Sequence, residues 1–197
     1  YTFSSNEAGS IAIGGGCSSS TTSATTDNNS ITFNALADGT YSNCKISVTD
    51  NASNTSDNLS VSSFTIDTTA PKLDEVTAVS KPTNDNTSLS YTFSSTEAGN
   101  ISYGGSCSSD NTTAVAGNNP ITFNALAEGT YSNCQITVTD NTSNTSDNLS
   151  VSSFTIDKTT PRLDNVTIAS NNTDNTTLAK TGNEITLSIT SGEAIQT

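Results

Sequence analysis

The residues best suited to chemistry lie in "TVTDNTSNTSDNLSVSSFTIDKTTP", which runs from Thr137 to Pro161 and places Asp140, Asn141, Asn144, Asp147 and Asp157 close together in sequence. All carry oxygen on short side chains. Such a set can serve as general acid and base, can hold a hard cation, or can cap the turn of a polar hairpin. The stretch from Ser47 to Pro71, "SVTDNASNTSDNLSVSSFTIDTTAP", repeats it almost word for word, with Asp50, Asn51, Asn54 and Asp67 in matching places.

Catalysis is the weakest of the three readings. The chain has no His, which removes Ser-His-Asp and Cys-His arrangements. Asp74 and Glu75 are adjacent, and neighbours on a strand point to opposite faces. "GGGC" and "GGSC" lack the lysine and spacing of a phosphate-binding loop. The chain is therefore expected not to be an enzyme.

Composition limits the remaining readings. Only 31% of residues are apolar, so any core is thin, and Ser, Thr and Asn fill the difference along the whole chain. Nineteen acidic residues face six basic ones, a net charge of −13. Nucleic acid and anionic lipid both need clustered Lys and Arg, so neither is an expected partner. No apolar run approaches the roughly 18 residues of a membrane span, and the opening "YTFSSNEAGS" lacks the basic and apolar parts of a signal peptide.

Internal repetition organises the chain. Tyr1 matches Tyr91, Cys17 matches Cys107, Cys44 matches Cys134 and Pro71 matches Pro161 at one constant offset. Between Asn28 and Asp67 the copies differ only at Ser30/Pro120, Asp38/Glu128, Lys45/Gln135, Ser47/Thr137 and Ala52/Thr142. "LSITSGEAI" from Leu187 echoes "YTFSSTEAG" and starts a third copy. With boundaries at "IDTTAP" and "IDKTTP", the expected modules are 1–67, 71–157 and 161–197. The first lacks an opening strand and the last has only two, as in a piece of a longer tandem array.

Period-2 alternation in the middle module predicts strands A at 73–79, B at 89–95, C at 101–103, a weak D at 113–116, E at 121–126, F at 131–139 and G at 151–156. Short strands in this number over about 90 residues predict an all-β fold of immunoglobulin-like β-sandwich modules. "ADGTY" and "AEGTY" predict a tyrosine corner, with the Tyr41 and Tyr131 phenols tied back to the preceding turn.

"YTFSS-EAG", "LA-D/E-GTY", "VTDN-SNTS" and "FTID-T-P", in this order in both copies, resemble the bacterial immunoglobulin-like repeats of large secreted or surface-anchored adhesins. The resemblance implies a cell-surface or extracellular bacterial segment that acts as a stalk or spacer, with neighbouring modules of the same chain as partners. Two alternatives stand beside it. Exposed loops could grip a glycan or receptor, although the copied loops carry no distinguishing aromatics. Other copies of the chain could add strands to form a filament, for which the stretch near 163–169 supplies a spare strand.

Two cysteines per module without His or a C-x-x-C motif argue against zinc. Strands C and F are sheet neighbours in the predicted sandwich, so Cys17 is expected to join Cys44, and Cys107 to join Cys134. Disulfides place the chain in an oxidising compartment.

In the same sandwich the end of one module meets the B–C and F–G loops of the next. Asp67, Glu97, Asp140, Asn141 and Asn144 then converge; Asp157 and Glu193 begin a second set, and Glu7, Asp50, Asn51 and Asn54 form a partial first one. An all-oxygen, acid-rich set suits Ca²⁺. The resemblance also implies calcium at module junctions. The polar-hairpin reading of the same residues remains open beside it.

Overall fold

The computed structural model describes residues 1–193, which leaves the last four positions of the 161–197 stretch outside the described residues. Among the described residues there is no helix and no segment long and apolar enough to cross a membrane as one. In chain order the strands are β1 (Thr2–Ser5), β2 (Gly9–Gly14), β3 (Ser23–Ala24), β4 (Asp27–Ser30), β5 (Gly39–Tyr41), β6 (Lys45–Thr49), β7 (Leu59–Ser60) and β8 (Phe64–Ile66). There follow β9 (Leu73–Thr77), β10 (Leu89–Ser95), β11 (Gly99–Gly104), β12 (Thr113–Ala114), β13 (Gly117–Phe123), β14 (Gly129–Tyr131), β15 (Gln135–Thr139), β16 (Leu149–Ser150) and β17 (Phe154–Ile156). The last two are β18 (Leu163–Ser170) and β19 (Ile185–Ser191).

Alternation decides the faces. On β10, Leu89, Tyr91, Phe93 and Ser95 are buried while Ser90 is exposed; on β15, Ile136 and Val138 are buried. These inward faces belong to two sheets, β13-β10-β9 and β12-β11-β15-β16, and all pairing is antiparallel within them. A separate β14-β17 pair lies beside the second sheet in sequence, and the Val151 N–H donates to the Cys134 carbonyl between the two ladders. The core is the layer between the sheets, a packing consistent with a β-sandwich. Phe123 stands at its centre, 5.6 Å from Tyr91 and 6.4 Å from Phe154 between ring centroids, with Tyr131 a further 5.3 Å from Phe154. Burying each such ring contributes about 2–3 kcal/mol, which lets a thin core hold.

The predicted strands are recovered with differences that have local causes. Strand F divides into β14 and β15, and strand G into β16 and β17, because the ladder is interrupted around Ser132–Cys134. The segment read as D pairs with β11 rather than with β13, so it lies at the edge of the sheet containing C. Strand A is shorter than predicted. After β9 the chain leaves β10, passes the cis Lys81–Pro82 bond, and pairs in parallel with β17, where the Thr83 N–H donates to the Thr155 carbonyl at 3.1 Å.

The first copy repeats the pattern with β1-β4, β3-β2-β6-β7 and β5-β8, around a separate cluster that includes Phe3, Ile31, Ile46 and Val61. The Tyr41 and Tyr131 phenols donate to the Ala37 and Ala127 carbonyls, each at 2.9 Å, as the corner pattern predicts. Both disulfides close within a copy: Cys17–Cys44 and Cys107–Cys134, with Cα separations of 5.4 and 5.2 Å. They tie the turn after β2 and β11 to the segment just ahead of β6 and β15. β18 and β19 form a two-stranded sheet of their own.

Candidate functional site

The site lies where the chain passes from the first copy to the second, and the F–G loop of the second copy is its scaffold. Asp140 ends β15. Its Oδ1 accepts from the Thr142 N–H at 2.8 Å, the Thr142 hydroxyl at 2.9 Å and the Asn144 N–H at 2.9 Å, and Oδ2 accepts from the Asn144 side-chain amide at 2.9 Å. Ser143 takes a left-handed φ of 75° to turn the chain around this carboxylate, and its own N–H donates to the Asp140 carbonyl. Such aspartate-centred turns are why Asp and Asn occur in hairpins without any ion. Asp50 organises the first copy's loop in the same way, accepting from the Ala52 and Asn54 N–H groups and from the Asn54 amide.

The second copy's loop then reaches the linker. The Asn144 amide also donates to the main-chain oxygen of Asp67 at 3.0 Å, and the Thr142 hydroxyl donates to Asp67 Oδ2 at 3.3 Å. Ala52 holds the position of Thr142 in the first copy and has no hydroxyl to offer.

The linker is held on both sides of this contact. The Asp38 carboxylate, in the turn before β5, accepts from the Thr68 N–H and hydroxyl and from the Thr69 hydroxyl. The Asp67 carboxylate accepts from the Thr69 N–H. Pro71 is buried, the Lys72 N–H donates to the Thr96 hydroxyl at 2.9 Å, and the Thr96 N–H donates back to the Lys72 carbonyl at 3.0 Å.

Glu97, in the turn between β10 and β11, completes a group with Asp67 and Asp140: one carboxylate oxygen from each lies within 4.8 Å of the others. Burial, followed by the charges of Asp67 and Asp140, pushes the Glu97 carboxyl above its usual range. For Asp140 burial works in the same direction. Hydrogen bonds from Asn144 and Thr142 outweigh it, and its carboxyl is held below the usual range. One corner of the group is thus locked as an anion while another is strained by two like charges.

Three carboxylates at this spacing fit a hard divalent cation. Asp67 and Glu97 retain accepting capacity, and Asp140 Oδ2 has one protein donor for two lone pairs. Asn144 differs from the expected role, since it presents amide hydrogens to Asp67, Asp140 and Thr142. Asn141 is exposed at the loop tip. Protein groups therefore supply part of the six to eight oxygens calcium takes, and water would supply the rest.

The other two sets are partly assembled. Glu7, Asp50 and Asn54 line one cleft, and Asn51 is exposed beside it. Asp157 and Glu193 line another with Glu128 and Thr159, where the Thr159 hydroxyl donates to Glu128 at 2.8 Å. Asp38 and Glu128 were not among the residues singled out from the sequence. Their signal was present: the turn before Gly-Thr-Tyr keeps a carboxylate in both copies although the side chain changes length. No family model matches the chain, and no curated protein matches it.

Proposed function

We propose that the chain is a structural spacer made of tandem immunoglobulin-like modules, part of a bacterial surface or secreted protein of the adhesin kind. The observation that carries this reading is the bound linker. From Asp67 to Lys72, donors and acceptors are matched to Asp38 on one side and to Thr96 and Asn144 on the other. A linker so tied transmits orientation from one module to the next, which a spacer requires and an independent binding module does not. The two disulfides fit an oxidising compartment, and the thin, strongly acidic modules fit an exposed surface. Charge at the junction gives a place for calcium. In this reading Asp67, Glu97 and Asp140 hold the ion, which offsets the repulsion among them and stiffens the joint.

Backbone ¹⁵N relaxation on the whole chain tests the reading. A spacer predicts that residues 1–67 and 71–157 share one rotational diffusion tensor. Separate tensors, with fast local motion at Thr68–Ala70, would overturn it.

A further inference from the structure

We propose that the first copy carries a receptor site for an extended peptide, a strand of the β9 kind, along the free edge of β1. In the second copy β9 occupies the equivalent seat: Leu73 pairs with Ser95, Asp74 with Ser94, Glu75 with Phe93 and Thr77 with Thr92. The segment Thr92–Ser95 is "TFSS", and Thr2–Ser5 is the same "TFSS". β1 pairs with β4 on one side, and among the described residues its other edge carries no strand.

The seat is shaped as well as free. A cleft of about 210 Å³ is lined by Phe3, Ser4 and Ser5 on β1 and by Leu59 on β7, with Ile46 and Val48 also contributing. In the second copy β9 lies against the matching β16, where Leu73 and Leu149 line one depression. The two copies differ in exposure where β9 is missing. Tyr1 is 43% exposed and Tyr91 is 0%, and Leu59 is 44% exposed where Leu149 is half-buried. An exposed β edge with an apolar trough beside it is the usual substrate of strand addition, in which main-chain bonds give affinity and alternate side chains give selectivity.

The polar half of the recognition is also duplicated. Glu75 crosses to the second sheet and accepts from the Ser152 N–H at 2.9 Å and the Ser152 hydroxyl at 2.7 Å. Ser62 is the same residue in the first copy and is exposed. Thr83 pairs in parallel with β17, and the matching β8 has no such partner among the described residues. The ligand is therefore a peptide with an apolar residue over Leu59, a carboxylate two residues later for Ser62, and an extended continuation along β8. β18 has a related sequence, but its ladder to β19 already uses one edge, so it is not the occupant inferred here.

The test uses the whole chain and a fluorescent synthetic peptide of residues Pro71–Thr83, followed by anisotropy and ¹⁵N spectra. Saturable binding is expected, with shifts confined to Thr2–Ser5 and Leu59–Ile66. Leu59→Lys on the chain, or Leu73→Lys on the peptide, should weaken binding at least about tenfold, since each puts a charge where a leucine is buried. Val115→Lys, on the other copy, should leave it unchanged. The peptide variant keeps the test decisive should the Leu59 variant fold poorly. No binding, binding indifferent to both substitutions, or a self-associated chain whose β1 edge the peptide does not displace would each overturn the proposal.

Discussion

The side-chain amide of Asn144 donates to the main-chain oxygen of Asp67 at 3.0 Å, linking residues 77 positions apart across the junction of the two copies. The same amide donates to Asp140, so the turn that shapes the loop also grips the linker. Loop and junction are therefore one structure, and a change that loosens the first should loosen the second.

Asn144→Ala removes both contacts while leaving the core intact. It should cost the second copy about 0.5–1.5 kcal/mol in denaturant unfolding and increase backbone motion at Asp67–Ala70 in ¹⁵N relaxation. Asn54→Ala, its counterpart in the first copy, should lower stability without altering linker motion, because Asn54 bonds only within its own loop among the described contacts. Equal effects on the linker would contradict the assignment.

Glu75 ties β9 to the opposite sheet, and Tyr91 lies buried beside it. The Tyr91 hydroxyl makes no hydrogen bond of ordinary geometry, yet it is close enough for the Glu75 charge, after burial itself, to push its pKa up. Glu75→Ala should therefore destabilise the second copy by about 1–3 kcal/mol, since it strands the Ser152 donors. Tyr91→Phe removes an unpaired polar atom and should be neutral or slightly stabilising. Thermal melts of both variants decide the matter, and a large loss from Tyr91→Phe would show that the hydroxyl has a partner.

Acid should act in two stages. Burial and the charges of Asp67 and Asp140 raise the Glu97 carboxyl above 4.5, so protonating it relieves the junction and stability should rise slightly as pH approaches that value. Asp38, Asp50, Asp85 and Asp140 are held below 3.8, and Glu75 below 4.5. A depressed carboxyl stabilises the fold above its unfolded pKa, and that contribution is lost as pH falls through the lower folded value. Melting temperature in chelator should thus pass through a shallow maximum and drop below about pH 3.8. In Glu97→Gln the rise should vanish and the drop should remain. A monotonic gain down to pH 3 would contradict both stages.

Reduction tests the covalent part of the fold. Each disulfide closes a sequence separation of 27 residues, worth about 3.5 kcal/mol on a chain-entropy estimate. Paired Cys107→Ala and Cys134→Ala should lower the second transition by a comparable amount and leave the first unchanged. Loss of both transitions together would mean that the copies do not unfold separately.

Much of this was legible from period and spacing. Alternation at Leu89, Tyr91 and Phe93 placed β10 to the residue, and the paired cysteines fell where neighbouring strands could join them. Pattern gave less where tertiary contacts override it. Nothing local says that β12 turns to β11, or that the chain beyond β9 crosses to β17. Asp67, Glu97 and Asp140 could be brought together on paper because the sandwich fixes which loops share a pole. The role of Asn144 was harder to read, because one side chain offers both an oxygen and two donors, and only the positions of Asp67 and Asp140 select the donors. Glu75 was passed over because a carboxylate on a strand reads as solvent-facing until its partner, Ser152, is known to lie across the core.

The claim that the chain is a jointed but stiff spacer meets its most direct test in small-angle X-ray scattering of the whole chain, recorded in millimolar calcium and again in chelator. The account predicts an elongated profile in calcium that fits one fixed arrangement of residues 1–67 and 71–157. In chelator the predicted result is a measurably broader distribution of distances, as the Asp67, Glu97 and Asp140 charges repel. A profile in calcium that fits only a freely jointed pair would contradict the spacer, and identical profiles with no calcium bound would leave the hydrogen-bonded loop alone holding the joint.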